Sequence, residues 1–217
     1  MDSIQEAWNA DYARRGRRWA RDSSGLPAFL PHERVLEAGC GDGKTLRALT
    51  GSRKSLIKGV SESPEIVALD FSRAAIRLSA PEFSRSPRVH LLCADAARMP
   101  FHDASFDAVL LLHVLGHAAL VSRSKICSEV QRVIRPGGSA ILRVFSTGDF
   151  RFGKGEEIED QTFLRGDGTF THYFSSAEIP DLFPFLSLVS MDTISWTLRV
   201  RGRDLQREEI HAVFRAE

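Results

Sequence analysis

Three acids, each closing a short apolar run, are the residues of this chain best placed to do chemistry. Glu37 follows Val35-Leu36 and leads Gly39, Gly41 and Gly43, three glycines at every second position. Asp70 closes Ile66-Val67-Ala68-Leu69, and Asp95 follows Val89-His90-Leu91-Leu92-Cys93-Ala94. Two histidines, His113 and His117, come directly after the apolar run that ends at Leu112. Around Glu37 the pattern is a buried strand turning tightly into a helix start. Glycine there lets a ligand lie against bare main chain, and the helix start adds unpaired N–H groups with partial positive charge. The spacing is G-x-G-x-G, not the G-x-G-x-x-G that seats a pyrophosphate. An acid in such a loop repels a pyrophosphate and suits a cationic ligand. An ionised Asp70 offers two acceptor oxygens, enough for both hydroxyls of a ribose.

The elements that hold these residues can be read in order. Strands are expected at 35–38, 66–70, 89–93, 105–112 and 139–146. Helices follow the glycine loop over 44–50, follow the good N-cap Ser72, and run from Ser122 to a stop at Arg135-Pro136-Gly137-Gly138. Asp70 lies 27 positions beyond Gly43, against about 20 in nucleotide-binding folds. Glu62 fits that count better, but Ser63-Pro64 follows it where a helix should begin. Asp70 is therefore preferred, after a longer connection. Alternation over 187–200, a turn at Gly202-Arg203-Asp204 and the run Ile210–Phe214 make a closing hairpin. Ser175-Ser176-Ala177-Glu178 reads as a cap opening a short helix towards Pro184. The whole is an α/β chain whose ligands collect at the carboxyl ends of its strands.

The strand, glycine loop and helix at 35–46, the Asp70 strand end and Ala94-Asp95-Ala96 together resemble the class I S-adenosylmethionine (SAM) dependent methyltransferases. That resemblance implies a Rossmann-like three-layer sandwich with a seven-stranded, mostly parallel sheet and a C-terminal antiparallel hairpin. SAM is the cofactor it implies, contacted by Glu37, Gly39, Gly41, Gly43, Asp70, Phe71 and Ser72. Asp95 and Ala96 then take the adenine edge, with Met99 or Phe101 as a wall, and Leu112 and His113 line the same cleft. In this family a segment before the first strand often covers the cofactor, so residues 1–30 are expected as a helical lid. Tyr12 and Arg18 are its candidate contacts to the methionine end. The implied reaction is SN2 transfer of the SAM methyl group. A base is needed only for an acceptor that arrives protonated, which would give His113, His117 or His172 that role.

Residues 31–217 form the expected catalytic domain, interrupted at 147–174 by glycine, charge and aromatics in alternation. Long connections of this sort are usually functional or disordered, and the aromatics disfavour disorder. The segment is expected to cover the substrate, with Arg165, His172 and Tyr173 in the acceptor site. It is similar to segments of small methyltransferases of the ubiquinone-biosynthesis and tellurite-resistance-like kind.

Composition bounds the remaining classes. With 217 residues, 43% hydrophobic and 26% charged, the chain suits one domain with a lid. A net charge of +1 gives no overall nucleic-acid footprint. The longest apolar stretch is too short and too interrupted to span a bilayer. Three scattered cysteines without C-x-x-C suggest a cytoplasmic setting and no zinc site. The expected acceptor is a small molecule. An RNA or protein acceptor reached through the arginine-rich lead, or a non-catalytic SAM-binding module, stand as alternatives, and a nicotinamide enzyme ranks below them.

Overall fold

Apolar runs buried on both faces build the centre of the molecule. The computed structural model describes residues 2–16, 26–51 and 64–217. Strands β1 (Arg34–Ala38), β2 (Glu65–Asp70), β3 (Val89–Cys93), β4 (Phe106–Leu112) and β5 (Ile134–Phe145) run parallel. Leu36, Val109, Leu111, Leu142 and Val144 pack on one face, Val35, Ala108, Leu110 and Ile141 on the other. Both faces being covered is why these runs read as continuous rather than alternating. Helices α1 (Asp2–Arg15), α2 (Lys44–Gly51), α3 (Arg73–Phe83) and α4 (Leu120–Val133) surround them.

A small three-stranded antiparallel sheet follows: β6 (Glu156–Glu159), β7 (Thr162–Leu164) and β8 (Phe170–His172). The chain then closes with β9 (Leu186–Val200) and β10 (Arg203–Ala216). The main sheet has the order β3-β2-β1-β4-β5-β10-β9, with β10 antiparallel to both neighbours. This is the Rossmann-like, seven-stranded, mostly parallel architecture with a terminal hairpin. The strand order reverses between β1 and β4, and a crevice opens there beyond their carboxyl ends.

Local signals were overridden at two places. Arg135-Pro136-Gly137-Gly138 does not form a loop after α4: helix passes directly into β5, whose first residues include these glycines. Ile134 pairs with Phe106 and Ser139 with Ala108, so the glycines occupy a bulge at the strand entry rather than ending it. Beyond Ser175 a one-turn 3-10 segment at Pro180–Leu182 stands in place of the expected helix. Glu178 does cap, accepting from the Ser175 N–H (2.7 Å) and Oγ (2.8 Å), but no run of helix formers follows it. Among the described residues no helix is long and apolar enough to cross a membrane.

Candidate active site

A cleft of about 520 Å³ lies at the carboxyl ends of the parallel strands. Glu37, Gly39, Cys40 and Gly41 reach it from β1 and its loop, Asp70 and Phe71 from β2, and Leu112 and His113 from β4. Asp95 and Ala96 line it after β3, with Ser122 and Ile126 of α4 nearby. The three acids at strand ends therefore share one hollow.

The glycine loop is shaped by what presses on it. Gly41 has φ 54°, and a Cβ there would come 2.5 Å from the Tyr12 hydroxyl oxygen, so α1 lies close over the loop. The Gly41 N–H donates to Asp70 Oδ2 (2.9 Å) and the Ser72 N–H to Oδ1 (2.8 Å). Each Asp70 oxygen thus keeps capacity for a further donor. Burial pushes Asp70 up to about 6, its two backbone donors opposing the shift.

Glu37 is 2% exposed and burial pushes it up to about 8, the Thr45 hydroxyl opposing and nearby Asp70 and Asp42 adding. Its Oε2 is buried with no hydrogen-bond partner among the described residues. One oxygen of this buried carboxyl is left open to a donor, and a cation brought against it would favour the ionised form. The ammonium and sulfonium of SAM supply that charge, so the residues present fit the cofactor.

The other end of the cleft is aromatic and charged. Phe145 stacks on His113 (centroids 4.5 Å, 24° between planes) and carries the Arg151 guanidinium 4.1 Å above its ring. Arg207 stands 4.8 Å over Phe145 and 5.2 Å over Trp196. Asp149 holds both arginines, at 2.8 Å and 2.6 Å, and these partners keep its carboxyl below the usual range despite burial. Glu209 meets His113 at 3.5 Å and His211 at 3.1 Å; its carboxyl too is lowered, so it is ionised. Burial pulls His113 down to about 4 and His117 to about 3, so both rings are neutral at pH 7. His117 Nδ1 donates to the Phe170 carbonyl (2.8 Å).

Several expected site residues lie elsewhere. Gly43 (φ 82°) faces α3, where a Cβ would meet Phe83 at 2.7 Å. Ser72 is fully buried; its Oγ accepts from the Ala75 N–H (3.2 Å) and pairs with Asn9 Oδ1 (2.8 Å), so it caps a helix away from the cleft. His172 is locked between Thr162 (2.9 Å) and Glu178 (3.3 Å), outside the cleft. Tyr173 is 1% exposed among Phe145, Phe152 and Phe163, with its hydroxyl accepting from Arg165. Both belong to the packing of the small sheet. Met99 is buried in the core and Phe101 packs edge-on against Phe106, so neither walls the cleft. Arg165 and Tyr12 do line it, while Arg18 lies outside the described residues, as does Glu62.

Trp8, Phe145, Arg151, Trp196, Arg207 and Glu209 line the cleft without having been expected there. One signal was available for the last three. Residues 199–207, Arg-Val-Arg-Gly-Arg-Asp-Leu-Gln-Arg, hold four arginines against one acid, just after a tryptophan in an alternating strand.

Residues 36–142 match a family model described as a methyltransferase domain. A SAM-dependent methyltransferase from Methanosarcina mazei shares the fold, with TM-score 0.68 and 21% identity over 87% of this chain and 94% of that one. Residues 36–142 are a methyltransferase domain by that match, and the fold around them is that of the class I SAM-dependent methyltransferases, whose cofactor is SAM.

Within that class its sequence is similar to the tRNA N(3)-cytidine methyltransferase METTL2 of Gallus gallus. The two are 32% identical over 167 residues, covering 72% of this chain and 43% of the other. It is also 27% identical to the tRNA N(3)-methylcytidine methyltransferase trm141 of Schizosaccharomyces pombe, covering 93% and 87%. The chain thus spans less than half of the chicken relative and most of the yeast one. These relatives overturn the expected small-molecule acceptor and the expected absence of a nucleic-acid footprint. A net charge near zero averaged away the arginines gathered at 199–207.

Proposed function

We propose that the protein transfers a methyl group from SAM to N3 of an unpaired cytidine in tRNA. The observation that carries this reading is the similarity to trm141, which extends over nearly the whole chain. The acceptor end of the cleft agrees with it chemically. N3 lies on the pairing edge of cytosine, so the base must stand outside a duplex and enter a pocket. Arg207, standing over Phe145 and Trp196, and the stacked Phe145–His113 pair line the end of the cleft that such a base would enter.

Bound SAM supplies a methyl already activated on its sulfonium. Neutral cytosine carries a lone pair on N3, so no side chain has to remove a proton before attack. The neutral His113 and His117 accordingly act as walls and hydrogen-bonding edges rather than as bases. Ionised Glu209 accepts from the exocyclic amino group and offsets the positive charge left on the methylated ring. Positioning of this kind supplies about 7–11 kcal/mol of a barrier. The segment 147–174 covers the acceptor, α1 covers the cofactor, and the free thiols of Cys40, Cys93 and Cys127 suit a reducing cytoplasm.

The test is to incubate the protein with labelled SAM and unmodified tRNA, then digest to nucleosides for mass spectrometry. 3-Methylcytidine is the expected product. Label entering only metabolites or protein sinks the reading.

A further inference from the structure

The β9–β10 hairpin is longer than the sheet it closes. Pairing between β10 and β5 ends at Glu209 with Phe145, whereas β10 continues back to Arg203 paired with β9 alone. Because β10 runs against the parallel strands, this free end overhangs their carboxyl ends, on the side of the cleft. The Phe150 N–H donates to the Gln206 carbonyl (2.9 Å) and braces the overhang.

One face of the overhang continues the cleft. Glu209 pairs with Ile194, Arg207 with Trp196 and Leu205 with Leu198, so these six side chains share a face. Trp196, Arg207 and Glu209 also line the cleft, which identifies that face as the one looking into it. Trp196 is 37% exposed, Ile194 43% and Leu198 37%, leaving an apolar ramp that leads outward from the pocket. At the tip, Arg199 pairs with Asp204 (3.3 Å), while Arg201 and Arg203 have no ion-pair partner among the described residues. An exposed aromatic beside unpaired arginines, continuous with a catalytic pocket, is the combination that binds single strands: bases stack and phosphates pair.

We propose that this hairpin face is the platform for single-stranded RNA flanking the target cytidine, with Trp196 stacking a neighbouring base and Arg201 and Arg203 holding phosphates. The inference rests on the RNA reading given above, and it places recognition at the C-terminal hairpin rather than at the arginine-rich lead. A second copy of this chain is the competing occupant of so apolar a ramp.

The test is fluorescence anisotropy with a labelled single-stranded RNA of roughly a dozen cytidines and uridines, and with the same sequence as a duplex, across a salt series. The full chain is expected to prefer the single strand. Arg201→Ala/Arg203→Ala lowers the slope of log affinity against log salt by about 1.4, the contribution of two phosphates. Trp196→Ala weakens binding about 5- to 100-fold with little change of slope. S-adenosylhomocysteine affinity, read by calorimetry, stays at the wild-type value in the arginine variant and shows that it is folded. Wild-type affinity and slope in both variants, while tRNA is still methylated, overturn the platform and leave the RNA reading standing. No RNA bound or methylated by the unaltered protein overturns both. A dimer in sedimentation that Trp196→Ala dissociates, with RNA binding intact, assigns the ramp to a second copy and overturns the proposal.

Discussion

One carboxylate, Asp70, performs two tasks at once. It ties the Gly41 N–H to the Ser72 N–H, joining the glycine loop to the start of α3, and it keeps its remaining lone pairs at the wall of the cleft. Asp70→Ala therefore removes a carboxylate from the cleft wall and leaves two buried backbone donors unpaired. S-adenosylhomocysteine affinity is expected to fall about 10- to 100-fold, and stability by about 1–3 kcal/mol, without loss of the fold. Calorimetry showing unchanged affinity contradicts this assignment; a melt that leaves no cooperative transition contradicts the claim that the fold survives. That Glu37, Gly39, Gly41, Asp70 and Asp95 line one cleft was legible because an acid or glycine at a strand end is a local pattern. Gly43 and Ser72 share that pattern but face α3, and which way a loop residue faces depends on its packing partner. Phe83 and Asn9, which decide it, are distant in sequence.

Among the elements, α1 is held by polar ties as well as by apolar packing. Asn9 Oδ1 accepts from the Ala74 N–H (3.2 Å) and meets the Ser72 hydroxyl, while Gln5 donates to the Phe71 carbonyl (2.6 Å). Trp8 and Tyr12 pack beside Ala75 and Phe71. A side chain of α1 thus serves as an extra cap on α3. Asn9→Ala is expected to cost about 1 kcal/mol and to loosen α1 over the cleft. Faster proteolysis near the N-terminus, slowed by added S-adenosylhomocysteine, checks it; equal cleavage with and without ligand argues against any link between α1 and the cofactor. The parallel strands could be read from continuous apolar runs, since burial on both faces leaves a mark in every residue, and the hairpin from its turn and alternation. The 3-10 turn after Ser175 and the strand through Pro136-Gly137-Gly138 could not, because tertiary pairing of Ile134 with Phe106 outweighs local propensity.

For the molecule as a whole, the buried acids make stability and cofactor binding oppose each other in pH. Glu37 titrates near 8 in the folded protein against an ordinary 4.5, and Asp70 near 6 against 3.8. Between each pair of values the folded state holds a proton that the unfolded chain has lost. The stability of the ligand-free protein therefore declines as pH rises through these windows and levels off above about 8. A cationic ligand reverses the preference, since it requires Glu37 ionised. Binding at pH 7 should release a proton, and affinity should climb towards pH 8. Calorimetry in buffers of different ionisation heat reads this directly, with a buffer-independent enthalpy as the contrary result. The acceptor class was the part least legible in the sequence. Four arginines and a tryptophan gather at 196–207 while the whole chain carries a net charge of only +1, and total charge does not say which side chains stand beside the cleft.

At His113 the familiar logic of alanine scanning is inverted. Its backbone sits at φ 65° at the exit of β4, a twist that costs most L-residues about 1–2 kcal/mol and glycine almost nothing. Cutting the ring back to alanine keeps that penalty while discarding the stacking on Phe145 that helps to offset it. Glycine or asparagine is the cleaner probe of the imidazole, and a library built at this site should be enriched in those two letters before any others.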